Sequence, residues 1–185
     1  MARNRRDIDA VEKRNEIIIV ARRLLMDAGY DATSMARIAS EARVAPNTLY
    51  WYFKDKDALL VAILDALVTE ALQEYSRVAS LPLVSQLLWM LEKFDQTAGF
   101  VTTVHARMTL SSTIHAWHER FHQLLEALIM TQLAIHGLPD RERAPAARIV
   151  LFVMEGLLSH HAGEPVEREA IASLLVSRVL PAGNV

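Results

Sequence analysis

Apolar residues recur along this chain at helical spacing, and the polar residues between them fall on the opposite faces. Ile17, Ala21, Leu24, Leu25 and Ala28 form one such stripe, with Arg14, Arg22 and Arg23 off it, so a first helix is expected over about residues 9–28, ended by Gly29. Thr33 or Ser34 then offers an N-cap for a short second helix that turns Met35, Ile38, Ala39 and Ala42 inward. After a turn at Arg43, Pro46 stands where proline is tolerated, in the first turn of a third short helix ending near Tyr52. Asp55 can cap a fourth helix from Lys56 to about Arg77, with Leu59, Leu60, Ile63, Leu67 and Leu72 as its stripe. At about 1.5 Å per residue that helix is about 33 Å long.

"SLPL" at residues 80–83 breaks the chain, and a fifth helix is expected from Pro82 toward Ala98. Past Gly99, a weak breaker, a sixth is expected over Val101 to Leu110, and "SST" at 111–113 caps a seventh ending at Gly137. "GLPDRERAP" reads as a linker. An eighth helix from Pro145 to His161 is apolar almost all round, through Ile149, Val150, Leu151, Phe152, Val153, Met154, Leu157 and Leu158. Such a helix is either central to one subunit or has a second partner surface, and the second reading points to a dimer interface. A turn at Gly163 to Pro165 leads to a ninth helix, Glu167 to Leu180, with Ile171, Leu174, Leu175 and Val179 inward. The fold class is therefore all-α, with about nine helices.

Composition narrows the reading. The 185 residues suffice for one domain, or for a small one fused to a larger, and 52% hydrophobic content with six Gly and six Pro predicts compactness. With no cysteine there are no disulfides, thiolate metal sites or cysteine redox sensors, which suits a reducing cytoplasm. No signal-peptide pattern and no bilayer-spanning run is seen, so a cytoplasmic protein is expected. The net charge of -2 is unevenly spread. Residues 1–57 hold 11 Lys and Arg against 9 Asp and Glu, the remainder 9 against 13, so a polyanion would meet the N-terminal part.

The stretch "VAPNTLYWYFKDK", Val44 to Lys56, sets four aromatic or hydroxyl-bearing rings and a leucine beside lysines. A helix-turn-helix needs a small residue where its helices cross, apolar residues around it, one just after the turn, and more on the inner face of the second helix. Ala39, Ile38 with Ala42, Val44, and then Leu49 with Tyr52 and Phe53 fill those places. The other face is left to Asn47, Thr48, Tyr50 and Trp51, which can hydrogen-bond phosphates and base edges or pack on a thymine methyl. Lys54 and Lys56 follow where a phosphate could reach them.

Residues 14–60, and above all "IASEARVAPNTLYWYFKDKDALL", resemble the DNA-binding domain of TetR-family transcriptional regulators. The likeness rests on the Ile-Ala pair, the Val after the turn, Thr-Leu-Tyr-x-x-Phe, and the Lys-Asp-Lys-Asp-x-Leu-Leu run. It implies an N-terminal three-helix helix-turn-helix domain, residues 1–54, followed by a larger helical ligand-binding and dimerisation domain, residues 55–185. It also implies that the third helix lies in the major groove of double-stranded DNA, with Pro46, Asn47, Thr48 and Trp51 near bases. Ser34, Tyr50, Tyr52, Lys54 and Lys56 would hold the phosphate backbone. The partners implied are an inverted-repeat operator, a second copy through helices near 145–161 and 167–180, and a small-molecule effector; no cofactor and no membrane is implied. Two positions depart from the pattern. Arg43 stands where the family usually has Gly, at a cost of about 1 to 2 kcal/mol for a left-handed residue, and Ala45 stands where Ser or Thr often caps.

Trp89, Phe94, His105, Met108, Trp117 and Phe121 are candidates to line a ligand site, with plain core as the alternative for each, and they point to a mostly apolar effector. "HAWHERFH" puts His115, His118 and His122 on one helix face with Glu119 nearby, a spacing zinc-binding helices use, although no fourth ligand is evident. The competing classes are an enzyme and a partner-binding helical module. No Gly-rich phosphate loop, Gly-x-Ser-x-Gly elbow or HExxH occurs, and no enzymatic activity is expected.

Overall fold

The computed structural model describes residues 5–159 and 165–180, and among them all regular structure is helical. In chain order the elements are α1 (Arg5–Ala28), α2 (Met35–Glu41), α3 (Pro46–Tyr52), α4 (Lys56–Val78), α5 (Leu83–Gln96), α6 (Ala98–Arg107), α7 (Ser112–Ile135), α8 (Asp140–Ser159) and α9 (Pro165–Val179). The local signals explain most of the ends. Gly29 at φ +82° and Gly137 at φ +81° take the left-handed conformation that stops α1 and α7. The Asp55 carboxylate accepts the Ala58 N–H at 2.8 Å and caps α4 as expected.

Several boundaries differ from expectation. α1 starts a turn before Asp9, since nothing in the preceding residues breaks a helix. α6 begins at Ala98 and ends at Arg107, shifted from Val101 to Leu110. Gly99 falls in its first turn, where backbone N–H groups lack helical partners anyway. At the far end, the Arg107 carbonyl accepts the N–H groups of both Leu110 and Ser111, each at 2.9 Å, closing a turn that places Ser111 before α7. The expected linker "GLPDRERAP" is half helix: α8 starts at Asp140 and carries Pro145 inside it. The missing N–H is offset by the burial of Ala146, Ala147 and Val150 immediately after. The expected end of the eighth helix at His161 and the turn from Gly163 lie outside the described residues.

The chain packs as two units. One holds the chain up to Glu70 together with Gly99–Trp117; the other holds Ala71–Ala98 and the chain from His118 onward. This division departs from a boundary at residue 54, because Leu59, Leu60 and Ile63 of α4 are fully buried in the first unit, along with Phe100, Val104 and Ile114. Ile17, Ala21, Ile38, Ala39 and Leu49 complete that core. In the second unit α5 packs on α8 and α9, around Leu87, Leu91, Leu133, Val150 and Val176. α8 is not covered all round: Val150, Leu151, Met154 and Leu157 are buried, while Ile149 and Phe152 are 51% and 69% exposed. On α9, Leu174 is exposed rather than inward, at 59%. Among the described residues no helix is long and apolar enough to cross a membrane.

Candidate nucleic-acid interface

α2 and α3 meet through a tight turn. Its backbone closes as a Schellman motif: the Val44 N–H reaches the Ala39 carbonyl at 3.0 Å and the Arg43 N–H reaches Ser40 at 3.1 Å. The motif demands a left-handed residue at its bend, and Arg43 takes it at φ +54°. The departure noted in the sequence is thus absorbed by strain at one residue while the turn geometry is kept. Ala45 has no side chain able to cap α3, but Pro46 occupies the first helical position, where its lack of an N–H costs nothing.

α3 is divided sharply into two faces. Leu49 is fully buried and Phe53, just past the helix, is 2% exposed, with the Arg14 guanidinium 5.1 Å from the Phe53 ring centre. Pro46, Asn47, Thr48 and Tyr50 are exposed, and Trp51 is 73% exposed. The Tyr52 ring is half-buried and meets the Trp51 ring edge-on at 4.6 Å, which stiffens the outward indole without covering it. Lys54 is exposed beyond the helix. Ser34 caps α2: its hydroxyl oxygen accepts the Arg37 N–H at 3.1 Å, leaving its own O–H to donate outward.

Lys56 is committed more deeply than the sequence suggested. Its ammonium donates to the carbonyls of Tyr30 (2.8 Å) and Thr33 (3.0 Å) and lies 3.9 Å from the Tyr30 ring centre. Burial pulls its pKa down. These carbonyl bonds use two of its three donors. Asp57 beside it accepts a two-pronged bond from Arg107, Nε to Oδ1 at 2.9 Å and a terminal nitrogen to Oδ2 at 3.0 Å, and also the Tyr30 hydroxyl. Burial alone would raise the Asp57 pKa. Hydrogen bonds from Arg107, Tyr30 and Ser111 outweigh it and hold the carboxyl below its ordinary range. The Tyr30 phenol is pushed up by burial and then by Asp57. Sequence reasoning missed Tyr30, Asp57 and Arg107. The repeated Lys-Asp pair hinted at Asp57, whereas nothing local marks Arg107.

The six candidate ligand residues divide between the units. In the second, Phe94 and Phe121 meet edge-on at 6.0 Å and Trp89 lies 5.8 Å from Tyr75. In the first, Trp117 is buried with its indole N–H donating to Asp65 at 2.8 Å, Met108 is half-buried and His105 is exposed. The rings of His118 and His122 stand 4.2 Å apart, and His122 reaches Glu155 at 3.1 Å. Among the described residues no group of three or more His, Cys, Asp or Glu side chains could hold a metal ion.

A strained turn, a buried inner face and an exposed polar-aromatic outer face on a seven-residue helix define a helix-turn-helix protein. The family described as "Bacterial regulatory proteins, tetR family" matches residues 17–63. The transcriptional regulator HbdR of Aromatoleum sp. (strain CIB) is 38% identical over 66 residues, which cover 36% of this chain and 29% of that protein. AcrR of Shigella flexneri is 42% identical over 55 residues, 30% of this chain and 26% of its own length. In these matches the chain thus spans less than a third of the length of either relative. The crystal structure of a TetR transcription regulator from Haloarcula marismortui shares the fold over 92% of this chain and 100% of that one, with a TM-score of 0.73 and 18% identity. Residues 17–63 are thus similar to the DNA-binding part of the tetR family of bacterial regulatory proteins, and the whole chain shares the fold of solved structures of that kind.

Proposed function

We propose that the chain is a sequence-specific transcriptional regulator that binds an inverted-repeat operator in duplex DNA as a homodimer and acts as a repressor released by a mostly apolar small molecule. The observation that carries this reading is the outward face of α3, where Asn47, Thr48, Tyr50 and Trp51 are exposed on a helix anchored by Leu49. In the major groove Pro46, Asn47, Thr48 and Trp51 meet base edges. Ser34, Tyr50, Tyr52, Lys54 and the remaining donor of Lys56 meet phosphates.

Dimerisation is supported by the exposed apolar residues Ile149 and Phe152 on α8 and Leu174 on α9, two helices that pack together in the second unit. Two copies would then read half-sites about 34 to 36 Å apart on one face of the duplex. The aromatic pairs Phe94 with Phe121 and Trp89 with Tyr75 favour an apolar effector lodged in the second unit. To release the operator, that effector must prefer the arrangement of the two heads that the operator disfavours; a coupling of about 1 to 3 kcal/mol changes occupancy several-fold or more.

Selection of bound duplexes from a random pool by the purified protein, followed by sequencing, tests the reading. Recovery of an inverted repeat is expected. Recovery of no motif at low salt would refute sequence-specific recognition by α3, and a motif without two-fold symmetry would refute the homodimer.

A further inference from the structure

We infer that Arg107, which lies far outside the segment matching the family, is a positioning residue for the DNA-binding head: it occupies Asp57 and so leaves Lys56 to fix the loop that leads into Ser34. The inference rests on the proposed reading of Ser34 as a phosphate contact only for its consequence in DNA binding.

The argument turns on competition for one ammonium. Lys56 and Asp57 are adjacent at the start of α4, and an uncompensated carboxylate there would draw the lysine to itself. Arg107, at the end of α6, prevents this by filling both carboxylate oxygens with its planar fork, while Tyr30 donates its hydroxyl to Oδ1. The Tyr30 ring is held against both cations, with the Arg107 guanidinium 4.5 Å and the Lys56 ammonium 3.9 Å from its centre. Lys56 is thereby directed to the Tyr30 and Thr33 carbonyls. Thr33 is itself fully buried, its hydroxyl donating to the Gly29 carbonyl at 2.9 Å. The next residue is Ser34, whose oxygen caps α2. Through Asp57 and the Tyr30 ring, Arg107 thus decides which acceptor Lys56 serves.

The test uses the full chain with Arg107→Gln, Arg107→Lys, Asp57→Asn and the double variant Asp57→Asn with Arg107→Gln. Amide hydrogen exchange over residues 30–37 is measured without DNA, and affinity is measured on the duplex selected above. Arg107→Gln is expected to speed exchange in that segment about tenfold or more, leaving α5 and α8 unchanged, and to weaken duplex binding by a similar factor. Arg107→Lys, with the charge but not the fork, falls between. The double variant has no anion to capture Lys56, so it recovers most of what Arg107→Gln loses. A merely structural role predicts that the double variant is as impaired as the single one or worse, and that result would overturn the inference. Should Arg107→Gln not fold, unchanged exchange in Arg107→Lys overturns it equally. Should the wild-type chain bind no duplex, the proposed function fails, while the exchange data still decide the role of Arg107.

Discussion

Each unit has a polar centre, half-buried in the first and more deeply buried at Gln86 in the second, and the two are built from opposite materials. In the first, the charges of Asp57, Arg107 and Lys56 are joined around the neutral Tyr30. In the second, Gln86 does comparable work without charge. Its amide nitrogen donates to the Ala79 and Leu81 carbonyls at 3.1 and 2.8 Å and to Gln132 at 3.3 Å, while its oxygen accepts the Tyr75 hydroxyl at 2.6 Å. Both close loops: the ionic centre ties the α1–α2 loop to α4 and α6, the neutral one ties the end of α4 to α5 and α7. The difference lies in what happens when a partner is lost. An ionic centre leaves an unbalanced charge that captures a neighbour, whereas an amide centre leaves only unpaired dipoles. The unit that carries the proposed DNA-binding face is thus also the one whose internal order depends on charge.

The largest effect that sharpens this contrast is expected from Asp57→Asn. It strips Arg107 of its carboxylate and should cost about 3 kcal/mol in chemical denaturation, with faster amide exchange confined to the first unit. Exchange rising equally in the second unit would erase the contrast. Gln86→Ala should follow at about 2 kcal/mol, since two loop carbonyls and the Tyr75 hydroxyl lose their partner, with the loosening confined to the second unit. Smaller, and opposite in sign, is Arg43→Gly. It relieves the left-handed residue in the turn and should stabilise the first unit by about 0.5 to 1 kcal/mol after the greater chain entropy of glycine is paid, as read by thermal unfolding.

The smallest effects are those of pH near neutrality. Asp57 has a depressed pKa, so its contribution is present above the unfolded value of about 4 and is lost as pH falls through the lower folded value. Tyr30 has a raised pKa, so its contribution is complete below the unfolded value of about 10 and is lost as pH rises through the higher folded one. Exchange over residues 30–37 should therefore show flat protection from above the Asp57 transition through neutrality, once corrected for intrinsic rates, with Lys56, whose pKa burial lowers, setting the upper limit. A step near pH 7 would mean that some other group governs the loop.

The head was legible because its signals are local. Apolar positions at Ile38, Ala39, Leu49 and Phe53, a cap at Asp55 and a proline at the start of α3 each act within a few residues. Arg43 could be identified as strained since the turn requires a left-handed residue whatever its side chain. The ionic centre was not legible, because Asp57 meets an arginine fifty residues away and the spacing of neither announces the other. α8 misled for a related reason. Pro145 is a usual helix start, and only the burial of the residues around it reveals that the helix began at Asp140. The apolar face of Ile149 and Phe152 was visible as composition, but which side of the helix it occupied needed the packing of Val150 and Met154.

The path of the chain between the units has a consequence for recombination. α4 runs without interruption past Glu70, and α7 past Trp117, while the passage at Ala98 and Gly99 falls in the first turn of α6. The boundary is therefore crossed three times inside helices and never in an extended linker. A protease would find no exposed hinge at which to release the head intact. A chimera joined at residue 54 would leave behind Asp57, Leu59, Ile63 and Arg107. To transplant the proposed DNA-binding head onto another protein, both the first half of α4 and the separate segment Gly99–Trp117 would have to travel with it.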